Sequence, residues 1–322
     1  MANPKLLNQE LWDVLCANEV PCQIALTQWL DRHSVSLDVL RTDLLHPLIS
    51  GNKWYKQKVH FQHALIHGYT QVLSFGGAWS NHIHALAASC QGFGIPAIGV
   101  IRGERSPTLT PTLIDAEAMG MRLHFVNRKD YRNKTSADFK KQLLSDLALS
   151  EEEVWIVPEG GSGALGVKGC EEILAAGGID TEQYQQIWLA AGTGATAAGI
   201  IRSVPETVAI HAVAALKGAQ DWMPAAIAQH LPGGRIGWSI ESNGHCGGFA
   251  KTTPELLDFM DDFTQQTGIP LDPIYTGKTI FAVYNAVVSG KIPAGSRVLA
   301  VHTGGLQGGR SHQPSPQTLS ES

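Results

Sequence analysis

The sequence predicts an α/β fold: parallel sheets covered by helices on both faces. Three observations carry that prediction. Residues 71–75, 187–191 and 297–302 are short, nearly continuous apolar runs, as expected of strands buried on both sides. A Gly-rich turn and then a helix-like stretch follow several of these runs, the order of a parallel sheet. The chain also holds 34 Gly in 322 residues, well above the usual ~7%, with no collagen period. Such an excess marks tight strand-to-helix turns or loops pressed against a ligand.

Composition removes several function classes. With 24 Lys+Arg against 29 Asp+Glu the net charge is −5, so there is no basic field to hold a nucleic acid. Apolar residues at 43% against 16% charged ones describe a globular chain rather than a disordered one. The length suits one large or two ordinary domains and a core that needs no staple. Five Cys with no CxxC spacing argue against a secreted disulfide framework and against a zinc ribbon. The first residues lack the basic-then-apolar order of a signal peptide, and no run of ~20 apolar residues exists. The expectation is a soluble cytoplasmic protein with no membrane and no nucleic-acid partner.

The elements follow in order. Residues 71–75 read as a strand, Gly76–Gly77 as its turn and 80–90 as a helix. Residues 96–101 and 121–126 are two more strands, with a helix over 112–119 between them that Gly120 stops. The charged stretch 128–153 belongs on the surface. Strand 154–157 leads through a Gly-rich segment into a helix running to Ala176. Strand 187–191 leads into Gly192-Thr193-Gly194-Ala195-Thr196 and another helix, and 208–213 and 297–302 complete the strands. The polar tail after Gly308 is expected to fray.

Five loops carry chemistry-bearing residues. Gly192 to Thr196, between strand and helix, offers free N–H groups and the positive end of a helix dipole, as a phosphate requires, and fits a plain packing turn equally. It also matches a loose dinucleotide fingerprint, but residues 212–217 lack the acidic ribose partner, which disfavours a nicotinamide cofactor. Lys53, after Ser50-Gly51-Asn52, would sit at a helix N-terminus, where dipole and desolvation by Trp54 or Tyr55 lower an amine pKa toward that of a Schiff-base lysine. Taken alone it reads better as a solvated surface lysine, as do Lys56 and Lys58. Ser80 and Asn81, after Gly76-Gly77-Ala78-Trp79, are helix caps or anion donors. His82 and His84 lack a third ligand, so no metal is expected. Asp272 to Lys278 and His302-Thr303-Gly304-Gly305 are further turns, the second able to place Thr303 in a cleft.

Together these segments resemble the tryptophan-synthase-β type (fold type II) of pyridoxal-phosphate enzymes, specifically the 1-aminocyclopropane-1-carboxylate deaminase/D-cysteine desulfhydrase group. The matching stretches are Arg41-Thr-Asp43 with Ser50-Gly-Asn-Lys53, Gly76 to His82, Gly192 to Thr196, Asp272 to Lys278 and His302 to Gly305, in family order. The resemblance implies two three-layer α/β/α domains with mostly parallel sheets. The smaller, residues 48–160, would be inserted in the larger, residues 1–47 and 161–322, with the cleft between them. It implies pyridoxal 5'-phosphate as cofactor, a small amino-acid substrate and a homodimer. Lys53 would hold the cofactor and act as base at the substrate Cα. Gly192, Thr193, Gly194, Ala195 and Thr196 would cradle the phosphate. Asn81 would bond the cofactor's phenolic oxygen, and Thr303 with Thr276 would lie near the pyridine nitrogen. Ser80, Asn81, His82 and Tyr275 would line the substrate, with Ser80 and Tyr275 catalytic.

Two departures bear on the reaction. Cyclopropane deaminases carry Glu where this chain has Thr276, and a hydroxyl does not keep a pyridine nitrogen protonated as a carboxylate would. Phe249 stands 26 residues before Tyr275, where the group carries a second Tyr. The expectation is a lyase that performs α,β-elimination on D-cysteine or a related amino acid, giving a 2-oxo acid and ammonia. The alternatives are a cyclopropane deaminase, a cofactor-binding protein with little catalysis, and a nicotinamide oxidoreductase.

Overall fold

The computed structural model describes residues 8–17, 19–248 and 250–312, so Phe249 and the end of the tail, 313–322, lie outside the described residues. The strands are β1 (Cys22–Ala25), β2 (Ser36–Leu40), β3 (Gln71–Gly76), β4 (Ala97–Arg102), β5 (Arg122–Val126), β6 (Val154–Val157), β7 (Gln186–Ala191), β8 (Ala209–Ala214), β9 (Trp238–Glu241) and β10 (Arg297–Val301). They form a six-stranded sheet of order β1-β2-β10-β7-β8-β9 and a four-stranded sheet of order β5-β4-β3-β6. Every pairing is parallel except that of β1 with β2.

The helices are α1 (Gln9–Ala17), α2 (Gln28–His33), α3 (Asn52–Ile66), α4 (Asn81–Phe93), α5 (Pro111–Ala118), α6 (Arg128–Tyr131), α7 (Ala137–Leu147), α8 (Gly163–Cys170), α9 (Ile173–Ala176), α10 (Ala195–Ser203), α11 (Met223–Ala228), α12 (Pro254–Thr267) and α13 (Thr276–Val288). Local chemistry sets many of their ends. Ser80 caps α4 by accepting from the Ile83 N–H, and Gly94 ends it at φ +69°. Thr110 and Thr253 cap α5 and α12, each followed by a Pro whose missing N–H costs nothing there.

Both sheets are covered on two faces. Trp29 and Leu30 of α2, Phe263 of α12 and Val283 of α13 pack on one face of the large sheet. Leu143, Leu144 and Leu147 of α7 cover the outer face of the small one. A single core joins the remaining faces, running from Trp54, Phe61 and Leu86 to Val167, Ile200 and Leu189. The first helix docks there as well: the Trp12 ring meets Trp54 edge-on at 5.2 Å between centroids.

The structure corrects the sequence reading in several places. The strands β1, β2 and β9 carry no clear apolar run. β1 and β9 are short edges, and β2 has Asp38 in its middle, buried and bonded to the Tyr184 hydroxyl at 2.7 Å and to Arg297. The single helix expected up to Ala176 is two, α8 and α9, broken at Glu171 and Glu172. Those carboxylates turn away to Arg202 and to Lys58. The tail is anchored just past Gly308, because Arg310 reaches Asp115 of α5 at 2.7 Å.

Glycines let α8 lie against α3. A Cβ on Gly169 would fall 1.8 Å from the Tyr55 carbonyl oxygen, and one on Gly166 would fall 1.9 Å from that of Gly161. Backbone cannot yield as a side chain can, so Gly169→Ala is expected to lose about 1–3 kcal/mol by urea unfolding. Gly233→Ala, with nothing within 4 Å of the new methyl, should stay within about 0.5 kcal/mol of the parent.

Candidate active site

The start of α3 is set by close backbone approach. Gly51 is its N-cap at φ +67°, and a Cβ there would lie 2.1 Å from the Thr303 carbonyl oxygen. That oxygen accepts the Asn52 N–H at 3.2 Å, so the turn after β10 is fastened to the helix that carries Lys53. Asn52 in turn donates through Nδ2 to Thr196 Oγ1 at 2.9 Å, tying α3 to the first turn of α10.

Lys53 is the second residue of α3. Its Nζ lies 2.5 Å from Asn52 Oδ1 and 6.0 Å from the centre of the Tyr275 ring. Burial, and then the neighbouring Lys56 cation, lower its pKa to about 7. Burial, the desolvation expected from sequence, is the larger cause, and the charge that adds to it is Lys56. Lys56 and Lys58 are themselves corrections, for both are buried rather than solvated. Lys58 pairs with Glu172. Lys56 is three positions from Lys53 and so on the same face of α3, and it sends Nζ to Thr193 Oγ1 at 3.4 Å. Burial lowers its pKa too.

The Gly-rich loop closes over these amines. Gly194 takes φ +84° as N-cap of α10, which leaves the free N–H groups of 195 and 196 at a helix N-terminus. A Cβ on Gly192 would meet the Tyr275 ring at 3.4 Å, so the Tyr lies across the loop. Burial, and then Asp272, raise the pKa of the Tyr275 phenol, which is therefore neutral. Asp272 accepts from the N–H groups of Ile274, Tyr275 and Thr276 and from Thr276 Oγ1 at 2.6 Å. The Thr276 hydroxyl also accepts the Asp272 N–H at 2.8 Å, so its one proton is committed to the carboxylate.

Asn81, at the start of α4, has a buried amide oxygen with no partner. A Cβ on Gly305 would fall 2.7 Å from its Nδ2, so the turn at 303–305 touches both α3 and α4. Ser80 is placed beside it, its hydroxyl accepting from Ile83 N–H at 3.2 Å. His82 turns its ring inward. Ser74 donates its hydroxyl to the Val157 carbonyl, so His82 Nε2, 2.8 Å from Ser74 Oγ, must be the donor of that pair. Its Nδ1 is then a bare, buried acceptor without a partner, and burial foremost keeps the ring neutral.

Contacts thus connect Lys53, Tyr275, the 192–196 loop, Thr303 and Asn81, while the hydrogen bonds of Ser80 and His82 are local. Sequence reasoning missed Lys56, Asn52 and Asp272 as site residues; the spacing of Lys56 from Lys53 was the available signal. No group of three or more His, Cys, Asp or Glu fit to hold a metal occurs among the described residues. Nor is any helix among them long and apolar enough to cross a membrane.

The residues fit pyridoxal phosphate. The half-buried Lys53 and the buried Lys56 stand near one buried carboxylate already supplied with donors, so the site carries positive charge that a phosphate would balance. An amine with a pKa near 7 has a free lone pair for a carbonyl carbon, and the orphaned Asn81 amide has capacity left for a polar ligand atom.

Comparison with known proteins agrees. The family described as pyridoxal-phosphate dependent enzyme matches residues 39–304. A bifunctional D-cysteine desulfhydrase/1-aminocyclopropane-1-carboxylate deaminase, mitochondrial, of Arabidopsis thaliana is 26% identical, over 86% of this chain and 74% of its own. A D-cysteine desulfhydrase of Salmonella newport is 21% identical over 83% of this chain and 86% of its own. The solved structure of an ACC deaminase homologue shares the fold, with TM-score 0.77, 24% identity and 91% of each chain covered. This chain belongs to the pyridoxal-phosphate dependent enzyme family, and pyridoxal phosphate is its cofactor.

Proposed function

We propose that this chain is a lyase that eliminates HX from a small β-substituted amino acid, with D-cysteine the leading substrate. The observation that carries the reading is a buried lysine amine with a pKa near 7, held on α3 beside a neutral Tyr275. Bound at Lys53, pyridoxal phosphate supplies the electron withdrawal that makes the substrate Cα–H acidic. Lys53 then takes that proton, which an amine near neutral pKa accepts at working pH. Lys56 and the N–H groups of the 192–196 loop hold the phosphate. Asn81 bonds the phenolic oxygen, and Ser80 meets the substrate carboxylate or assists as acid or base. Tyr275, a neutral phenol, can give its proton to the departing sulfur, and the inward His82 supports the substrate wall through α4. The Cα–H and Cβ–S bonds break, Cα=Cβ forms, and the released aminoacrylate takes up water to give pyruvate and ammonia.

Thr303 and Thr276 stand at the pyridine nitrogen in this reading. Elimination is favoured over cyclopropane ring opening because Thr276 brings no carboxylate and has its proton committed to Asp272. A good leaving group drains charge quickly enough for a weak electron sink, and ring opening lacks one. The smaller sheet with its helices fits a domain of 48–160, the rest forming the larger one. A homodimer in the cytoplasm belongs to the same proposal. β1 offers an open strand edge with Ile24 and Leu26 exposed, and all five thiols are free, as in a reducing compartment.

Turnover over a panel of D- and L-amino acids and the cyclopropane substrate, read as 2-oxo acid, tests this. D-Cysteine is expected to release sulfide and pyruvate at least about tenfold faster than the cyclopropane is opened, roughly 1.4 kcal/mol in barrier. A colour change with no oxo acid from any substrate would instead indicate a binding protein. Lys53→Ala should abolish turnover and the visible absorption of the bound cofactor together. Attachment of cofactor to the apo-protein needs the neutral amine, so its rate should rise with pH through a midpoint near 7 and level off above it. Lys56→Met should move that midpoint upward, because a cation that lowers the Lys53 pKa is gone. The same change should weaken cofactor binding about tenfold, read by absorbance titration.

A further inference from the structure

His302 immediately follows β10, and its ring is 2% exposed with both nitrogens engaged. Nε2 lies 2.8 Å from the Pro270 carbonyl oxygen, which only accepts, so Nε2 carries a hydrogen. Nδ1 lies 3.3 Å from the Gly304 N–H and 3.2 Å from Asp43 Oδ1. The first neighbour only donates and the second only accepts, so Nδ1 serves one of them at a time. Nδ1 accepts the Gly304 N–H. Asp43 does not depend on His302, because Arg41 holds it through Nε at 2.9 Å and Nη2 at 2.7 Å. The ring therefore links the buried Arg41–Asp43 pair to the turn at 303–305.

That turn has no slack. Gly304 has φ +72°, and a Cβ there would fall 2.8 Å from Gly51 Cα, at the cap of α3. Thr303 O is bonded to the Asn52 N–H, and Gly305 is against Asn81. A displacement of Gly304 is passed to the residues on either side of the cleft, Lys53 and Asn81.

We propose that His302 is a positioning residue of the cofactor site, acting through Nδ1 to fix the 303–305 turn against the ends of α3 and α4. The proposal rests on the reading that this cleft holds pyridoxal phosphate. Its ring nitrogens are taken up by Pro270 and Gly304, so His302 acts through the turn and is not a catalytic residue.

Two substitutions separate the ring nitrogens. In H302N the amide replaces Nδ1 and keeps a partner for Gly304 or Asp43, while the bond to Pro270 is lost. In H302Q the longer amide can reach Pro270 and leaves the Nδ1 position empty. Each loses a buried hydrogen bond, so both apo-proteins should melt lower than the parent. The rate of cofactor loss from the holoenzyme, followed by decay of its visible band after dilution, distinguishes the two. H302Q is expected to lose cofactor about tenfold faster than the parent, and H302N within about threefold. Equal loss rates in the two variants, faster loss in H302N, or an H302Q as slow as the parent would overturn the proposal. If H302Q does not fold, loss from H302N more than about tenfold above the parent has the same force. A parent protein that takes up no cofactor is a separate result: it overturns the cleft reading and this proposal with it.

Discussion

Two lysines three residues apart on α3, the half-buried Lys53 and the buried Lys56, share one site, and the carboxylate that acts on Lys53, Asp272, is already surrounded by donors of its own segment. Placing like charges out of water is costly unless something answers them. The remainder of the site can be understood as that answer. Lys53 gives up its proton readily, the start of α10 points free N–H groups at the same space, and Asn81 keeps an amide oxygen unpartnered. A dianionic phosphate with a carbonyl carbon attached answers the free N–H groups and the neutral amine, and the Asn81 oxygen is left to accept from a ligand donor. The net acidity of the chain does not oppose this, because the field that matters is local and sits behind low-dielectric walls.

Holding those amines in place needs helices closer together than side chains normally permit. Gly161, Gly166 and Gly169 bring α8 and the turn before it onto α3, and Gly199 brings α10 onto Cys170 of α8. Gly51 does the same for the turn after β10. The excess of Gly in the composition therefore has two uses that one count cannot separate. Some residues give the backbone a left-handed bend beside the ligand, as Gly194 and Gly304 do. Others, such as Gly169, are in ordinary helical backbone and are required only because a carbonyl occupies the space of a side chain.

Strands flanked by Gly-rich turns were legible because burial on both faces writes a continuous apolar run. β2 was not, since it buries Asp38 against Tyr184 and Arg297, and a paired charge in mid-strand looks like a loop from sequence alone. Lys53 became legible only when its segment was set beside four others in order. Lys56 stayed hidden for a plain reason: a lysine is solvated nearly everywhere, and nothing adjacent in sequence shows that α8 and the 192–196 loop will cover it. Asp272 was visible as part of a motif, but its service as acceptor for four donors is a property of the folded turn.

β10 lies between β2 and β7, near the middle of the large sheet, although it is the last strand of the described chain. Synthesis runs from the N-terminus at ~5–20 residues per second. Until that strand leaves the ribosome, β2 and β7 have no common neighbour, and two inner edges stay open. The turn that fastens Gly51 and Asn81 follows β10 directly, so the cofactor pocket can close only after residues 297–305 have emerged. A nascent or prematurely ended chain would carry Lys53 and the phosphate loop, yet lack the element that joins them. Loading with cofactor therefore waits for β10 and its turn to emerge, and a chaperone that shields β2 and β7 in the interval would act where exposed edges are most prone to pair wrongly.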